Sequence, residues 1–140
     1  AEELELACDL VGYFSHWITP EGTPKRFTTR FFVAAMPAGQ TPLADEQEVE
    51  AGVWIRPAAA LGDKTMTMIF PTIRTLEELA TFKTAADALG ACRDRRVAAN
   101  LPRIIERDGV PVVLLPGDPG YDDAAGGAPV AFDPSKVRGA

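Results

Sequence analysis

The segment from Trp17 to Phe32, WITPEGTPKRFTTRFF, holds the residue types in this chain most able to bind a ligand. A Thr-Pro corner follows the tryptophan, and Arg26 and Arg30 interrupt a stretch that would otherwise be an apolar strand. Arginine guanidinium groups bind phosphate and carboxylate through paired hydrogen bonds, whatever the net charge of the protein. Core packing alone does not account for two arginines here, so the segment is a candidate site for a small anionic ligand.

Length and composition indicate one globular domain. The chain has 140 residues, of which 46% are hydrophobic and 24% charged, which suffices for one core and is too short for two ordinary domains. A formal charge of -6 leaves no broad basic field, so we expect no nucleic-acid polymer as a partner. No apolar run approaches the ~20 residues of a transmembrane helix, and no secretory signal is visible. We therefore expect a cytoplasmic protein with no membrane partner.

Metal chemistry based on histidine or cysteine is not indicated. His16 is the only histidine, and Cys8 and Cys92 lie far apart without Cys-x-x-Cys spacing. Zinc sites and disulfide frameworks both require such clusters, so we expect two free and mostly buried thiols. A glycine-rich phosphate loop is also missing, because the glycines of the last part of the chain do not lie between a strand and a helix.

The element that must position Arg30 is a strand predicted over residues 28–36. Apolar and polar side chains alternate there, with Arg30 and Phe32 on one face and Phe31 and Val33 on the other. The alternation is the clearest in the chain. We therefore expect Arg30 and Phe32 to present their side chains in the same direction.

The segments before this strand are less regular. Residues 2–14 have apolar side chains in a pattern that fits a helix in its first part, whereas residues 10–17 could equally form a strand. Two prolines and a glycine over residues 19–25 predict an exposed loop. The candidate ligand segment is thus expected to combine a loop with the strand that follows it.

After the strand, the sequence predicts a loop, a second strand and a short helix. Proline, glycine and acidic residues indicate the loop over residues 37–46. Residues 49–55 are predicted to form the second strand. Pro57 suits the first turn of a helix, which we expect over residues 58–61.

Two capping signals predict two further helices. Thr75 with Glu78 three residues later has the spacing of a capping box, so a helix is predicted over residues 76–82. Thr84 and Asp87 repeat the signal. The residues that follow at helical spacing predict a buried face made of Ala85, Ala88, Leu89 and Cys92.

A hairpin is predicted late in the chain. Asp108-Gly109 lies between two apolar-rich runs, residues 101–106 and 110–115, and this dipeptide is a strong signal for a two-residue turn. Pro111 lacks a backbone donor, so we expect it at an edge or at a position that faces away from the hydrogen-bond ladder.

Four blocks of sequence follow one another in a recognisable order: W-I-T-P, R-F-T-T-R-F-F-V-A, D-E-Q-E-V-E-A-G-V-W-I-R-P-A-A-A-L and P-T-I-R-T-L-E-E-L. Over residues 10–83 they resemble the C-terminal half of a Nudix hydrolase, in the subgroup related to coenzyme A diphosphatases. The later L-L-P-G-D-P-G-Y also resembles tails of bacterial members. The resemblance implies an α/β (α+β) fold, a Nudix-type α/β/α sandwich with a mixed sheet. Residues 1–116 would form the later portion of that domain and residues 117–140 a Gly/Pro/Asp-rich tail.

The Nudix box that defines the family does not occur in this sequence. Its pattern is Gly-x5-Glu-x7-Arg-Glu-x2-Glu-Glu-x-Gly, and its glutamates hold Mg²⁺ or Mn²⁺ against a diphosphate. Glu77-Glu78 lacks the preceding Arg and Gly and is better explained as a helix cap, and Thr28 replaces the usual Asp of the strand motif. Diphosphate hydrolysis needs charge neutralisation and an activated water. We therefore expect the box on an N-terminal segment before Ala1 or on a partner chain, and we expect this chain alone to be inactive.

The resemblance also implies an activity and roles for particular residues. The activity is Mg²⁺- or Mn²⁺-dependent hydrolysis of a nucleoside-diphosphate-linked substrate, such as a coenzyme A derivative. Glu48 and Glu50 lie where many Nudix enzymes have an additional catalytic glutamate near the metals. The implied substrate-binding residues are Trp17, Arg26, Arg30 and Phe32.

Each of these assignments has a plainer alternative. Arg30 could pair with an acidic neighbour, Glu48 and Glu50 could belong to a solvated loop, and Trp17 and Phe32 could be core residues. For the whole protein, the alternative is a non-catalytic Nudix-fold binding or regulatory module, or a subunit that completes the fold of a partner. A glutamate box encoded upstream would favour the enzyme. Because family members often pair, the resemblance also implies a homodimer.

Overall fold

A computed structural model describes residues 7–44, residue 47 and residues 51–124. The predicted catalytic residues Glu48 and Glu50 lie outside the described residues, as do the first part of the predicted N-terminal helix and the end of the predicted tail. None of the helices in the described part of the chain is long and apolar enough to cross a membrane.

A three-stranded sheet forms the centre of the fold. β1 (Val11–Ile18) is its middle strand, so of the two structures the sequence allowed here, the strand is the one that forms. β2 (Thr28–Ala34) pairs with β1 antiparallel, as expected from the predicted strand, and the short β3 (Ala99–Asn100) pairs with it parallel. The sheet is therefore mixed, and together with the helices it gives an α+β fold.

A β-bulge at Phe14 turns two successive side chains of β1 to the same side. Tyr13 pairs with Phe32 and Ser15 with Phe31, so Phe14 is an extra residue without a partner on β2. Both Phe14 and Ser15 are buried. The bulge thus gives the buried side of β1 one more side chain than strict alternation allows.

The register divides the two strands between two faces. Phe31 and Val33 are half-buried while Arg30 and Phe32 are exposed, which confirms the predicted alternation of β2. We call the side towards the core the inner face, and its residues are Gly12, Phe14, Ser15, Trp17, Thr29, Phe31 and Val33. The opposite side is the outer face, and its residues are Val11, Tyr13, His16, Arg30 and Phe32.

Two helices begin where the sequence predicted. α1 (Pro57–Gly62) starts at its proline, whose fixed φ suits the first helical turn. α3 (Ala85–Cys92) follows a capping box, in which the Asp87 N–H donates to the Thr84 hydroxyl and the Thr84 N–H donates to the Asp87 carboxylate. Of the predicted buried face of α3, Ala88 and Cys92 are buried, Leu89 is half-buried and Ala85 is exposed. The other free thiol, that of Cys8, is exposed, so the prediction that the thiols are mostly buried is wrong for Cys8.

The helix predicted over residues 76–82 is wrong in its start and end. α2 spans Phe70–Leu79, and Pro71 lies in its first turn, where a missing N–H breaks no helical hydrogen bond. Thr75 is a buried interior residue whose hydroxyl bonds to a hydroxyl on β1, and Glu78 pairs with an arginine beyond α3. The two residues matched a capping box in spacing, but tertiary contacts occupy their side chains.

The second predicted strand is also wrong in the part that the structure describes. Residues 51–55 have no regular structure. Val53 and Trp54 are exposed, as are the residues on either side of them. A strand satisfies its backbone groups through a neighbouring strand, and the apolar run here does not lie beside one. Apolar content alone therefore did not decide the conformation.

The predicted hairpin forms with the predicted turn. β4 (Arg103–Arg107) and β5 (Val110–Leu114) pair antiparallel around Asp108 and Gly109, which have φ values of 54° and 75°. These positive values belong to the tight turn that Asp-Gly favours. Pro111 lies one pair from the turn, opposite Glu106. In a hairpin with a two-residue turn that pair is not hydrogen-bonded, so the missing N–H breaks no ladder bond.

The first residues of the predicted tail lie against this hairpin. The Tyr121 hydroxyl donates to the carbonyl oxygen of Leu101 at 2.7 Å. The Arg103 guanidinium lies 4.0 Å from the centre of the Tyr121 ring and donates to the Tyr121 carbonyl oxygen. The chain is therefore anchored to the hairpin at least as far as Tyr121.

Candidate functional site

An apolar cleft of about 330 Å³ opens beside the Thr-Pro corner. Its walls come from the inner face, from the loop between β1 and β2, from the start of α2 and from the β4–β5 hairpin. We call it the Trp17 cleft. Its lining residues are Trp17, Ile18, Thr19, Pro20, Thr23, Lys25, Phe27, Thr29, Phe31, Ile69, Phe70, Pro71, Pro102, Ile104 and Val113.

Hydrogen bonds close the base of the loop that borders this cleft. The Thr19 N–H donates to the Phe27 carbonyl oxygen and the Phe27 N–H donates to the Thr19 hydroxyl, both at 2.9 Å. Arg26 donates from Nε to the Thr19 carbonyl oxygen at 3.1 Å, and the Thr23 hydroxyl donates to the Pro20 carbonyl oxygen at 2.6 Å. The threonine of W-I-T-P thus fixes the loop, and with it the position of Phe27 at the cleft.

Aromatic rings form the walls of the cleft, and a single lysine lines it. The buried Trp17 ring meets the Phe70 ring edge to face, with 5.8 Å between centroids and an angle of 89°. Lys25 Nζ lies 5.0 Å from the centre of the Phe27 ring. A cleft of this kind can take a flat or apolar group between its aromatic walls and place a phosphate near the ammonium.

A second, polar pocket of about 250 Å³ shares Trp17 with the cleft. Arg95 donates two hydrogen bonds to the Glu78 carboxylate, at 2.5 and 3.0 Å, and this bonding holds the pKa of Arg95 above its ordinary value. We call this cavity the arginine pocket. Its lining residues are Ser15, Trp17, Arg74, Thr75, Glu78, Arg95, Arg96, Val97, Ala98 and Asn100.

The predicted substrate-binding residues are not gathered in one place. Trp17 lines the cleft from the inner face. Arg30 and Phe32 lie on the outer face, where the Phe32 ring stacks on Tyr13 at 5.3 Å. Arg26 is exposed and bonded to the loop backbone. Strand alternation therefore separates Trp17 from Arg30 and Phe32, although all of them belong to one short run of sequence.

The described residues contain no cluster of three metal-ligating side chains. Within them, no three His, Cys, Asp or Glu side chains lie close enough together to hold a metal ion. Glu77 and Glu78, the acidic pair of α2, are both in ion pairs with arginines. The predicted catalytic residues Glu48 and Glu50 lie outside the described residues, so their proximity to any metal remains a prediction.

Sequence reasoning missed the arginine pocket. Arg95 and Arg96 belong to the run RDRR at residues 93–96, a local concentration of positive charge that could have been noticed. Arg74 gave no such signal, because only the packing of α2 against β1 brings it to the same cavity. Phe70 was likewise hidden in an apolar stretch whose orientation the sequence does not reveal.

A scan of protein-family models found no match to this chain, and searches of curated proteins and of solved structures found none either. A Nudix relationship therefore remains a prediction from the sequence motifs. The function has to be proposed from those motifs and from the cleft and pocket that the structure forms.

Proposed function

We propose that this chain forms the substrate-binding side of a Nudix-type hydrolase that cleaves a nucleoside-diphosphate-linked substrate, such as a coenzyme A derivative. One observation supports this most. Three of the four motif blocks, which are separate in sequence, meet at the Trp17 cleft. W-I-T-P contributes Trp17 and its neighbours, R-F-T-T-R-F-F contributes Phe27 and Phe31, and P-T-I-R contributes Pro71 at the start of α2.

The chemistry of the cleft suits one part of such a substrate. Small-molecule sites are typically apolar cavities of roughly 300–1,000 Å³ with a few polar groups that fix orientation. The aromatic walls at Trp17, Phe27 and Phe70 would hold the base or the apolar arm of the substrate. Lys25 would contact the diphosphate, since its ammonium is the cation that lines the cleft.

Binding and bond cleavage are assigned to different parts of the enzyme in this proposal. The glutamates of a Nudix box and their Mg²⁺ or Mn²⁺ would supply charge neutralisation and the activated water. Because residues 1–140 contain no such box, it would lie on another segment or on a partner chain. Glu48 and Glu50 are proposed to add a carboxylate near that centre. The residues of the cleft would bind and orient the substrate.

The test is turnover by the full-length polypeptide, with Mg²⁺ or Mn²⁺ and a panel that includes coenzyme A and ADP-ribose. Products separated by chromatography should show cleavage of the diphosphate. Lys25→Gln should raise KM about tenfold, the equivalent of ~1.4 kcal/mol. Lys83→Gln is the matched control, since Lys83 is exposed and does not line the cleft.

Two results would count against the enzyme. Absence of turnover for every diphosphate tested would contradict the hydrolase. Binding of the same compounds in the cleft without turnover would favour the non-catalytic binding or regulatory module instead.

A further inference from the structure

The arginine pocket has more positive than negative charge. Three arginines line it, at positions 74, 95 and 96, against one carboxylate, that of Glu78. Arg95 is already matched to Glu78 by two hydrogen bonds. The charge of Arg96 is therefore left to attract an anion into the cavity, and that of Arg74 is balanced only by Glu77, which does not line the cavity.

Arg74 and Arg96 can both bind a ligand at a small cost in free energy. Arg74 pairs with Glu77 at 2.8 Å, but both side chains of this pair are about two-fifths exposed. Exposed pairs of this kind contribute only about 0–1 kcal/mol, so an anion can replace Glu77 as the partner. Arg96 is exposed, and it makes no ion pair within the described residues.

The rest of the pocket is fixed in advance. Besides its bonds to Glu78, Arg95 lies over the buried Phe14 ring, with its guanidinium carbon 4.8 Å from the ring centre. Ser15 and Thr75 share a buried hydrogen bond of 3.0 Å between their hydroxyls. That bond uses one of the two hydroxyl hydrogens, which leaves the other for a ligand oxygen.

The wall that the pocket shares with the cleft contains a buried donor. Trp17 Nε1–H has no hydrogen-bond acceptor in the part of the chain that the structure describes, and the residue is only 6% exposed. A buried donor without an acceptor costs about 1–3 kcal/mol. Because Trp17 lines the arginine pocket, its indole N–H signal should respond to a ligand that binds there.

From these observations we propose that the arginine pocket binds an oxyanion of the phosphate class. The charged donors come from two elements, Arg74 from α2 and Arg96 from the segment after α3, and the Ser15–Thr75 hydroxyl pair adds a neutral donor. Donors that approach from several directions suit the tetrahedral oxygens of phosphate better than the planar pair of a carboxylate. Arg96, together with Arg74 once it exchanges Glu77 for the ligand, would balance the charge of a phosphate dianion.

The second tryptophan of the chain, Trp54, serves as an internal reference for testing phosphate binding in the arginine pocket. Trp54 is 75% exposed and does not line the pocket. In ¹H–¹⁵N spectra of the full chain, titration with potassium phosphate should shift the Trp17 indole N–H signal to saturation and leave the Trp54 signal in place. Trp54→Phe assigns the two signals. Potassium chloride at equal ionic strength is the salt control, and no divalent metal is added.

Three variants complete the test. Arg74→Gln and Arg96→Gln should each raise the Kd for phosphate about tenfold, since each removes a charge-assisted hydrogen bond. Arg107→Gln, at an exposed position in β4, should leave the Kd unchanged. A shift that does not saturate, or equal Kd values in the wild type and both pocket variants, would overturn the proposal.

Two further titrations identify the ligand more closely. Acetate binding as tight as phosphate would overturn the assignment to the phosphate class. Coenzyme A that competes with phosphate for the pocket would mean that the bound group is a phosphate of the substrate, whereas independent binding would mean a free phosphate ion. Because none of these readouts involves turnover, failure here and failure of the proposed hydrolase can be told apart.

Discussion

On the inner face of the β1–β2 pair, Phe14 is fully buried and Trp17 is 6% exposed, whereas on the outer face Phe32 is 57% exposed and Val11 43%. The bulge at Phe14 adds to this difference, since it places Phe14 and Ser15 together on the inner side. Both the cleft and the arginine pocket are built on inner-face residues. Core packing and most of the strand contributions to the two cavities therefore lie on the same face.

This overlap of core and cavities has a consequence for substitution experiments. Trp17 belongs at once to the core, to the cleft and to the pocket. A change on the inner face should therefore alter stability, and through it binding, whereas a change on the outer face should alter neither by much. The following variants test that difference.

The largest effect is expected for Phe14→Ala. Removal of a fully buried phenylalanine ring costs about 3–5 kcal/mol of unfolding free energy, because a cavity replaces it. Phe32→Ala on the outer face should cost less than about 1 kcal/mol, since that ring is mostly in water already. Urea unfolding measures both. Phe14→Leu provides a milder change if the alanine variant does not fold, and equal losses at positions 14 and 32 would contradict the comparison.

Gly12→Ala should be the next most damaging change. A Cβ at position 12 would lie 2.6 Å from Cys92 Cβ and 2.9 Å from Cys92 Sγ. Overpacking of this kind costs about 1–3 kcal/mol. Gly90→Ala is the matched control, because it has open space around it and lies in α3, so it should stabilise by about 0.5–1 kcal/mol. Thermal unfolding should show a lower Tm than the wild type for Gly12→Ala and a higher Tm for Gly90→Ala.

Ser15→Ala tests the buried hydroxyl pair. It leaves the Thr75 hydroxyl without its partner, which should cost about 1–3 kcal/mol. Thr75→Val removes the other hydroxyl. Because the two hydroxyls are hydrogen-bonded, the double variant should lose clearly less unfolding free energy than the sum of the losses of the two single variants, as measured by urea unfolding. Strict additivity would mean that the two hydroxyls do not interact.

The smallest effect concerns the pH dependence of stability. Burial, the largest influence, raises the pKa of the Cys92 thiol above its ordinary value of 9.0, with a smaller opposing effect of Arg95. The folded state therefore holds this proton more tightly than the unfolded state, so the contribution of Cys92 to stability is present below pH 9.0 and is lost as the pH rises above it. Between pH 8 and 10, the unfolding free energy of Cys92→Ala should fall less than that of the wild type. Parallel plots of unfolding free energy against pH for the two proteins would contradict this.

Local sequence predicted those elements whose signals are satisfied locally. The Asp108-Gly109 turn and the cap at Thr84 depend on backbone conformation and on neighbours three residues away, and both formed. Thr75 had the same local signal, but its hydroxyl bonds to a residue 60 positions away in sequence. The strand prediction for residues 51–55 was wrong because a strand needs a neighbouring strand for its backbone hydrogen bonds. No local pattern indicates whether such a neighbour is available.

For the candidate site, the sequence indicated a single segment, residues 17–32, but not its division between the two faces of the sheet. Trp17 was a predicted substrate contact and does line the cleft. Arg30 and Phe32 belong to the same run, yet they lie on the other side of the sheet. The alternation of apolar and polar residues in β2 does not predict the bulge at Phe14 in β1. Arg96 lines the arginine pocket because of how α3 packs, which the local sequence does not indicate either.

The most direct test of the central claim is a calorimetric titration of coenzyme A into the wild-type chain, Phe27→Ala and Phe32→Ala. Phe27 lines the cleft and Phe32 lies on the outer face, and both rings are more than half exposed, so both variants should fold. We predict saturable binding that weakens about tenfold in Phe27→Ala and is unchanged in Phe32→Ala. No saturable binding, or an equal loss in both variants, would contradict the claim that the Trp17 cleft is the substrate site.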